Sequence, residues 1–419
     1  MHENSPPAQK AILAAVDTGE YDVDASLAEL AELARTVEIE AVAELVQKRE
    51  SIDRATCIGA GKLAETAAFV QHTGADMVIF DHELSATQLR NIEKVCGIDI
   101  IDRTMLILEI FARQANSHEG RLQVELARNR YLLPRLAGIG NALSRLGGGG
   151  GGAGAGARRG KGETKLELDR RHIRNRVKAL EEQLDELTKR RGHMRRRRKK
   201  DGVTTVAIVG YTNVGKSTLL NALTGAEVLT EDKLFATLDP SARALSLPDG
   251  RQVMLIDTVG FLRRLPHNLV EAFHSTLEEA AHADLLLNVC DMASPLAQEQ
   301  IEVTHALLAE LGVKDAPIIN VLNKCDLLAQ PPEPAGGHTA VISAATGQGL
   351  DILLQKIALL LPQGSRRLKL LIPYDKGSLV AEIREQGKIY SEAFAPEGAL
   401  LDALVDYRLL GRVMEFLSD

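Results

Sequence analysis

Gly210–Ser217 reads GYTNVGKS, set between the apolar run TTVAIVGY and the helix-like STLLNALTG. The spacing G-x-x-x-x-G-K-S after a strand and before a helix is that of a phosphate-binding loop. Gly210 and Gly215 free the backbone so that N–H groups along Tyr211, Thr212, Asn213 and Val214 can wrap a β-phosphate. Lys216 places a charge between β- and γ-phosphates, and the Ser217 hydroxyl is suited to Mg²⁺. A loop of this kind belongs to a doubly wound, mostly parallel sheet. The segments downstream agree, because RQVMLIDT, ADLLLNVCD, PIINVLNK and TAVISA are continuous apolar runs of the sort covered on both faces of such a sheet.

Working outward, each of these runs ends in residues with a chemical use. Asp257 closes VMLID and can hold the water shell of Mg²⁺, while Thr258, Val259 and Gly260 form a turn whose Gly260 N–H can meet a γ-phosphate only when that phosphate is present. Lys216, Thr237 and Gly260 are the expected catalytic set. In the loop Phe235, Ala236, Thr237, Leu238, Asp239, the Thr237 hydroxyl is the expected further Mg²⁺ ligand beside Ser217 and the water-linked Asp257. Asn323, Lys324, Cys325 and Asp326 spell NKCD at the end of PIINVL. A carboxylate there accepts from the N1–H and exocyclic amine of guanine, a donor pair that adenine lacks, so GTP is favoured over ATP. Ser343, Ala344 and Ala345 supply a backbone N–H to the guanine carbonyl.

One position breaks the pattern of a self-sufficient hydrolase. After Gly260 comes Phe261, where a water-orienting Gln is usual, and a phenyl ring cannot hydrogen-bond an attacking water. Slow intrinsic turnover is expected, rising when a partner orders the switch.

Elsewhere the 419-residue chain, with 45 % apolar residues, is about three times the usual domain size and can bury several cores. AILAAV, ADMVIFD and GIDIID alternate with helical patterns in a small N-terminal α/β unit. Leu122, Leu126, Leu133 and Leu136 mark a helix that stops near Leu136. A second helical seam runs through Leu166, Ile173, Val177, Leu180, Leu184, Leu187 and Met194. Between the two lies the glycine-rich run from Gly147 to Gly160, so the pair reads as a hairpin around a flexible loop. A second helix of some thirty residues would reach roughly 45 Å. The expected domains are 1–117 (α/β), 118–200 (helical hairpin), 201–364 (the nucleotide domain) and 365–419, a small α+β tail in which no chemistry is evident.

Charge singles out the hairpin. From Arg158 to Lys200 there are 18 Lys or Arg against 7 Asp or Glu, a surplus of +11 that leaves −18 on the rest of a chain whose formal net charge is −7. A charge run on its own is ordinarily a solvated helix flank; gathered at a glycine-rich tip and the helix ends, it suits a polyanion. Aromatics are only 3 % of the chain, so phosphate and shape contacts, not base stacking, would dominate an RNA interface. Cys57, Cys96, Cys290 and Cys325 show no CxxC spacing, which fits reduced thiols. His82, His118 and His172 are expected at the surface or at caps and not as metal ligands. GAGK at Gly59–Lys62 is too short for a second phosphate loop. No apolar run of 18 residues and no signal-like N-terminus is present, so a cytoplasmic protein is expected.

The strings CIGAGKLAE at Cys57, VIFDHELSATQLRNIE at Val78, IIDRTMLILEIFARQANSHEGRLQVELARNRYLLPRL at Ile100 and RGKGETKLELDRRHI at Arg159 are longer and more selective than the phosphate loop. With the five nucleotide motifs, they resemble the HflX family of ribosome-associated GTPases over about residues 10–362. The resemblance implies a monomeric, partly ribosome-associated factor that binds GTP and GDP with Mg²⁺. It also implies binding to the large ribosomal subunit and its rRNA, with the hairpin inserted toward the peptidyl-transferase region, and splitting of stalled or idle ribosomes under stress. Related potassium-dependent GTPases hold K⁺ at an Asn matching Asn213. Lys161 stands where the family's hairpin commonly has Pro, and Ser241 where Thr is usual. Two other readings compete: a GTPase of ribosome assembly or RNA modification, and an RNA-binding clamp with incidental turnover.

Overall fold

The structure is a computed structural model that describes residues 9–136, 161–200, 203–225, 241–264, 269, 280–313, 316–330, 336–361 and 365–418. The expected hairpin tip at Gly147–Gly160 and the loop Phe235–Asp239 lie outside the described residues. The chain divides into two compact units. One takes in Met1–Asp185 and, from further along, Leu262–Phe273; the other contains Glu186–Glu231, Asp239–Phe261 and His274–Asp419.

In the first unit, β1 (Gln9–Asp17), β2 (Ile39–Lys48), β3 (Met77–Phe80) and β4 (Asp99–Asp102) form a four-stranded parallel sheet ordered β2-β1-β3-β4. The runs AILAAV, ADMVIFD and GIDIID are β1, β3 and β4. β2, IEAVAELVQK, was not legible as a strand because its alternate positions carry Glu and Ala, with no sustained apolar run. Helices α1 (Val23–Thr36), α2 (Ala60–Thr73), α3 (Ala86–Cys96) and α4 (Arg103–Gln114) are the crossovers and the element after β4. Their starts are set locally. Asp22, Ser85 and Asp102 accept from backbone N–H groups at the ends of α1, α3 and α4, and Ser85 and Gln88 complete a reciprocal capping box. Ile12, Ala14, Val16, Val78, Phe80, Leu84 and Ile92 make the core.

Helix α5 (His118–Leu132) ends four residues before the expected stop near Leu136, and a 3₁₀ turn at Leu133–Arg135 fills most of the difference. Helix α6 (Lys161–Lys200) is 40 residues long, longer than the thirty expected, and spans about 60 Å at 1.5 Å per residue. The burial of Leu166 lies outside the described residues, and among the described ones the seam holds from Ile173 to Leu187. Leu180 is fully buried, and Ile173, Val177, Leu184 and Leu187 are half-buried between exposed neighbours, whereas Met194 is 54 % exposed. The basic end therefore has no apolar face to hide.

The second unit holds a six-stranded sheet ordered β10-β9-β8-β5-β7-β6: β5 (Thr204–Gly210), β6 (Ser241–Ser246), β7 (Gln252–Asp257), β8 (Leu285–Asp291), β9 (Ile318–Asn323) and β10 (Thr339–Val341). All five expected strands are present and parallel. β6 is the addition, an antiparallel edge whose SARALS is too short and polar to read as a strand. Helices α7 (Lys216–Thr224), α8 (Ala297–Glu310) and α9 (Leu350–Leu360) accompany the sheet. β5 and β8 are almost wholly buried, which is why they are apolar at consecutive positions. The chain ends in a three-stranded antiparallel sheet, β11 (Ser365–Ile372), β13 (Gly398–Asp406) and β12 (Lys388–Ala395), with α10 (Gly377–Gln386) and α11 (Tyr407–Val413). Leu370, Ile372, Ile383, Leu401, Ala403 and Val405 form its own small core.

Candidate functional site

The C-terminal ends of β5, β7 and β9 bring the sequence motifs of the second unit together, as the parallel topology requires. Gly210–Lys216 leads from β5 into α7. Asn213 takes a positive φ of 58° and Gly215 one of 92°. Gly215 has a second constraint: a Cβ there would lie 2.4 Å from Asn323 Nδ2. Asn323 is buried and stitches the site, donating from Nδ2 to Val214 O (2.8 Å) and accepting at Oδ1 from Ala344 N–H (2.9 Å). Lys324, also at positive φ, donates to Asn213 O at 2.9 Å and pairs with Asp291 at 2.7 Å. The phosphate loop, the NKCD turn and the SAA turn are thus one hydrogen-bonded assembly. Asp326 and Ala345 stand exposed at its rim, and Cys325 is buried behind it.

At the other end of the loop, Lys216 is buried and donates from Nζ to Gly210 O (3.2 Å) and Tyr211 O (2.6 Å). Burial pushes its ammonium down to about 8, against the opposing pull of Asp257. A polyphosphate beside it would favour the charged form. Ser217 Oγ donates to Asp257 Oδ2 at 3.0 Å, and Asp257 is fully buried at the end of β7. A hydroxyl and a carboxylate are hard oxygen donors of the kind Mg²⁺ takes, so this pair fits the metal the sequence implies. Among the described residues, no group of three or more His, Cys, Asp or Glu is placed to hold a metal ion.

The turn after Asp257 closes on the phosphate loop. Thr258 is buried with its hydroxyl on Ile208 O at 2.7 Å. Phe261 N–H donates to Gly210 O (3.0 Å), and Thr212 N–H donates to Phe261 O (2.9 Å), so Phe261 pairs with the loop like a strand. Its ring is buried in the core. Gly260 sits so near that a Cβ would come within 2.8 Å of Thr212 Cγ2 and 2.9 Å of Lys216 Nζ. A side chain at position 260 would therefore press on Thr212 and on the Lys216 ammonium, which the bare glycine leaves clear.

Sequence reasoning missed the ties made by Val214, Asn213 and Asp291, since a carbonyl acceptor and a lone strand-end carboxylate carry no spacing signal. Nor does the structure place His82 as expected. It is buried, 3.2 Å from Tyr21 Oη, because it lies two residues past the end of the fully buried strand β3; His118 and His172 are exposed. All four cysteines are free and buried. Lys62 of GAGK is occupied in an ion pair with Glu65 at 2.9 Å. Among the described residues no helix is long and apolar enough to cross a membrane.

Comparison with known proteins agrees along the chain. Residues 24–112 match the family described as GTP-binding GTPase N-terminal, residues 114–198 the GTP-binding GTPase Middle Region, and residues 205–324 the 50S ribosome-binding GTPase. GTPase HflX of Caldanaerobacter subterraneus is 51 % identical over 417 residues, covering 100 % of this chain and 96 % of that protein. GTPase HflX of Escherichia coli is 39 % identical over 403 residues, covering 94 % and 93 %. A solved GTP-binding protein of the archaeon Sulfolobus solfataricus, in complex with GDP, aligns at 25 % identity and TM-score 0.44, covering 84 % of this chain and 98 % of that one. With relatives of this identity matched end to end, the chain belongs to the HflX family of GTPases.

Proposed function

We propose that the chain is a cytoplasmic, partly ribosome-associated factor that binds the large ribosomal subunit in its GTP form and splits stalled or idle ribosomes. The observation that carries this reading is the joining, in one chain, of a guanine-nucleotide site to a 40-residue helix whose last turns are almost entirely Arg and Lys. Such a helix neutralises phosphates and releases their counterions, which suits rRNA.

In this reading the backbone from Gly210 to Ser217 cradles the β-phosphate, and Lys216 spans the β- and γ-phosphates. Asp326 accepts from guanine, while Asn323 and Lys324 hold the base loop and the 343–345 turn supplies an N–H. Ser217, Thr237 and, through water, Asp257 would hold Mg²⁺, which when bound neutralises charge on the phosphates. Gly260 senses the γ-phosphate through its N–H. Phe261, buried and paired to the phosphate loop, presents no polar group to an attacking water, so intrinsic hydrolysis is slow and the ribosome completes the site. Asn213 offers a place for K⁺ near the phosphates; equal turnover in KCl and NaCl would remove that role.

Co-sedimentation tests the whole. Large subunits should retain the chain with a non-hydrolysable GTP analogue and release it with GDP, and the analogue should suffice to shift 70S particles into subunits in a sucrose gradient. Lys216→Ala should abolish both effects. Full ribosome activity in that variant would instead identify an RNA clamp with incidental turnover.

A further inference from the structure

Within the second unit, the Lys324 ammonium bridges two elements of the site. It donates to Asn213 O in the phosphate loop at 2.9 Å and pairs with Asp291 Oδ2 at 2.7 Å. Asp291 belongs to none of the nucleotide motifs. It ends β8, and the parallel register sets it opposite Asn323, the last residue of β9. Its carboxylate has two tasks, one for each oxygen. Oδ1 accepts from Ala293 N–H at 3.0 Å and so shapes the turn after β8, while Oδ2 faces the ammonium. The same turn meets the base loop a second time, where Met292 N–H donates to Asn323 O at 3.0 Å.

Two conformational costs give this ion pair its use. Lys324 takes a φ of +65°, a backbone conformation that a non-glycine residue keeps only when its surroundings impose it. Its four-carbon stem also loses much rotamer freedom when laid along a purine ring. With the ammonium held between Asn213 O and Asp291, both losses are met before a nucleotide arrives, and a preorganised group binds more tightly than a free one. The pair does little for folding, because its side chains keep 28 % and 20 % of their surface in solvent and water screens them.

We propose that Asp291 is a positioning residue for guanine-nucleotide binding, holding the Lys324 ammonium against the phosphate loop so that the lysine stem stands ready as a wall for the purine ring. The proposal rests on the reading of Lys324 as part of the base site. GDP and GTP carry the same base, so Asp291 acts on both alike, whereas a contact to the γ-phosphate would act on GTP alone.

The test uses the full chain and stopped-flow release of fluorescent GDP and of a fluorescent non-hydrolysable GTP analogue. Asp291→Asn has the same shape and keeps an acceptor for Ala293 N–H, but lacks the charge. It should speed the release of both nucleotides by about five- to twentyfold, the range of couplings between contacting groups, and by factors that agree within about twofold. Asp291→Glu restores the charge on a longer arm and should recover part of the loss. Lys324→Met keeps the stem without the ammonium; it should also speed release, and adding Asp291→Asn to it should change the rate by no more than about twofold. Nucleotide-free melts of Asp291→Asn should match the parent chain. Unchanged release, a loss confined to the GTP analogue, a Glu variant no better than Asn, single effects that multiply, or a melt lowered without nucleotide would each overturn the brace. Should Asp291→Asn fail to fold, Asp291→Ser, whose hydroxyl still accepts from the turn, decides in its place. Lys324→Met separates the two levels: if it speeds release while Asp291→Asn does not, the brace falls and the site reading stands; if Lys324→Met is neutral, the reading of Lys324 falls and the brace falls with it.

Discussion

Gly260 and Asp326 do opposite things with one residue each. Gly260 works by lacking atoms, because any Cβ would press on Lys216 Nζ and Thr212. Asp326 works by exposing a carboxylate at the rim, on a turn that the buried Asn323 ties to the rest of the loop assembly. With Asp326 as the base-selecting carboxylate proposed above, the expectation is sharp. Asp326→Asn should lose guanine nucleotide by about 10- to 100-fold, the cost of roughly 1–3 kcal/mol for mismatched donors and acceptors, and gain xanthosine triphosphate, whose C2 carbonyl accepts from an amide. Isothermal titration with the two nucleotides checks this; a variant that keeps guanine and ignores xanthine would remove Asp326 from the base site. His82 supplies the pH dependence. Burial, then Arg264, pushes its imidazole below the ordinary 6.5, with Asp81 and Glu20 pulling the other way. The unfolded chain therefore takes up the proton first, so this contribution to stability is intact above pH 6.5 and is lost as pH falls below it. Asp81 adds a loss in the same sense at lower pH. Burial alone would raise its carboxyl, yet Arg103, Arg264 and its hydrogen bonds hold it below the ordinary 3.8. Glu29, raised by burial, works in the opposite sense. The His82→Gln comparison isolates the imidazole: thermal melts between about pH 7 and 5 should fall less steeply in the variant than in the parent chain.

Among the elements, the α5–α6 pair shows which interactions hold it. Arg176 grips Glu125 with two 2.6 Å hydrogen bonds and Arg130 reaches Glu181 at 2.8 Å, but these side chains keep 30–44 % of their surface in solvent. Exposed pairs contribute about 0–1 kcal/mol each, whereas removing a fully buried leucine costs roughly 2–5 kcal/mol. Leu180, fully buried, should therefore dominate: Leu180→Ala should lower the denaturant midpoint far more than Arg176→Ala, measured on the full chain by circular dichroism. Comparable losses would mean that the ion pairs, not the seam, fasten the helix. The seam was readable from Ile173 to Leu187 because a helical period needs no partner to be seen. Its end before Met194 was not, since only the packed structure says where the partner surface stops. Edge strand β6 escaped for a related reason: SARALS gains its strand conformation from pairing with β7, not from any pattern of its own.

Across the whole molecule, charge is divided between a cationic helix end and an acidic remainder, which suits an electrostatic probe for RNA. Binding to large subunits should weaken steeply with salt. Replacing Arg195, Arg196, Arg197 and Arg198 by Gln should flatten the plot of log affinity against log salt by roughly 0.7–0.9 for each RNA phosphate that is no longer neutralised. An unchanged slope would place the RNA interface elsewhere. The nucleotide site was legible because phosphate and guanine recognition demand particular residues at contiguous positions: GYTNVGKS, DTVG and NKCD are each written in one short stretch and set at strand ends by the parallel sheet. Hydrophobic runs likewise declared the sheet, since strands buried on both faces must be apolar throughout. Position 264 and position 81 are 183 residues apart, and no spacing rule joins them. Only the fold brings that arginine to a buried carboxylate, buries His82 behind it, and ties Asn323 to the loop 109 residues earlier, because such pairings depend on which surfaces meet in space and not on which residues are neighbours along the chain.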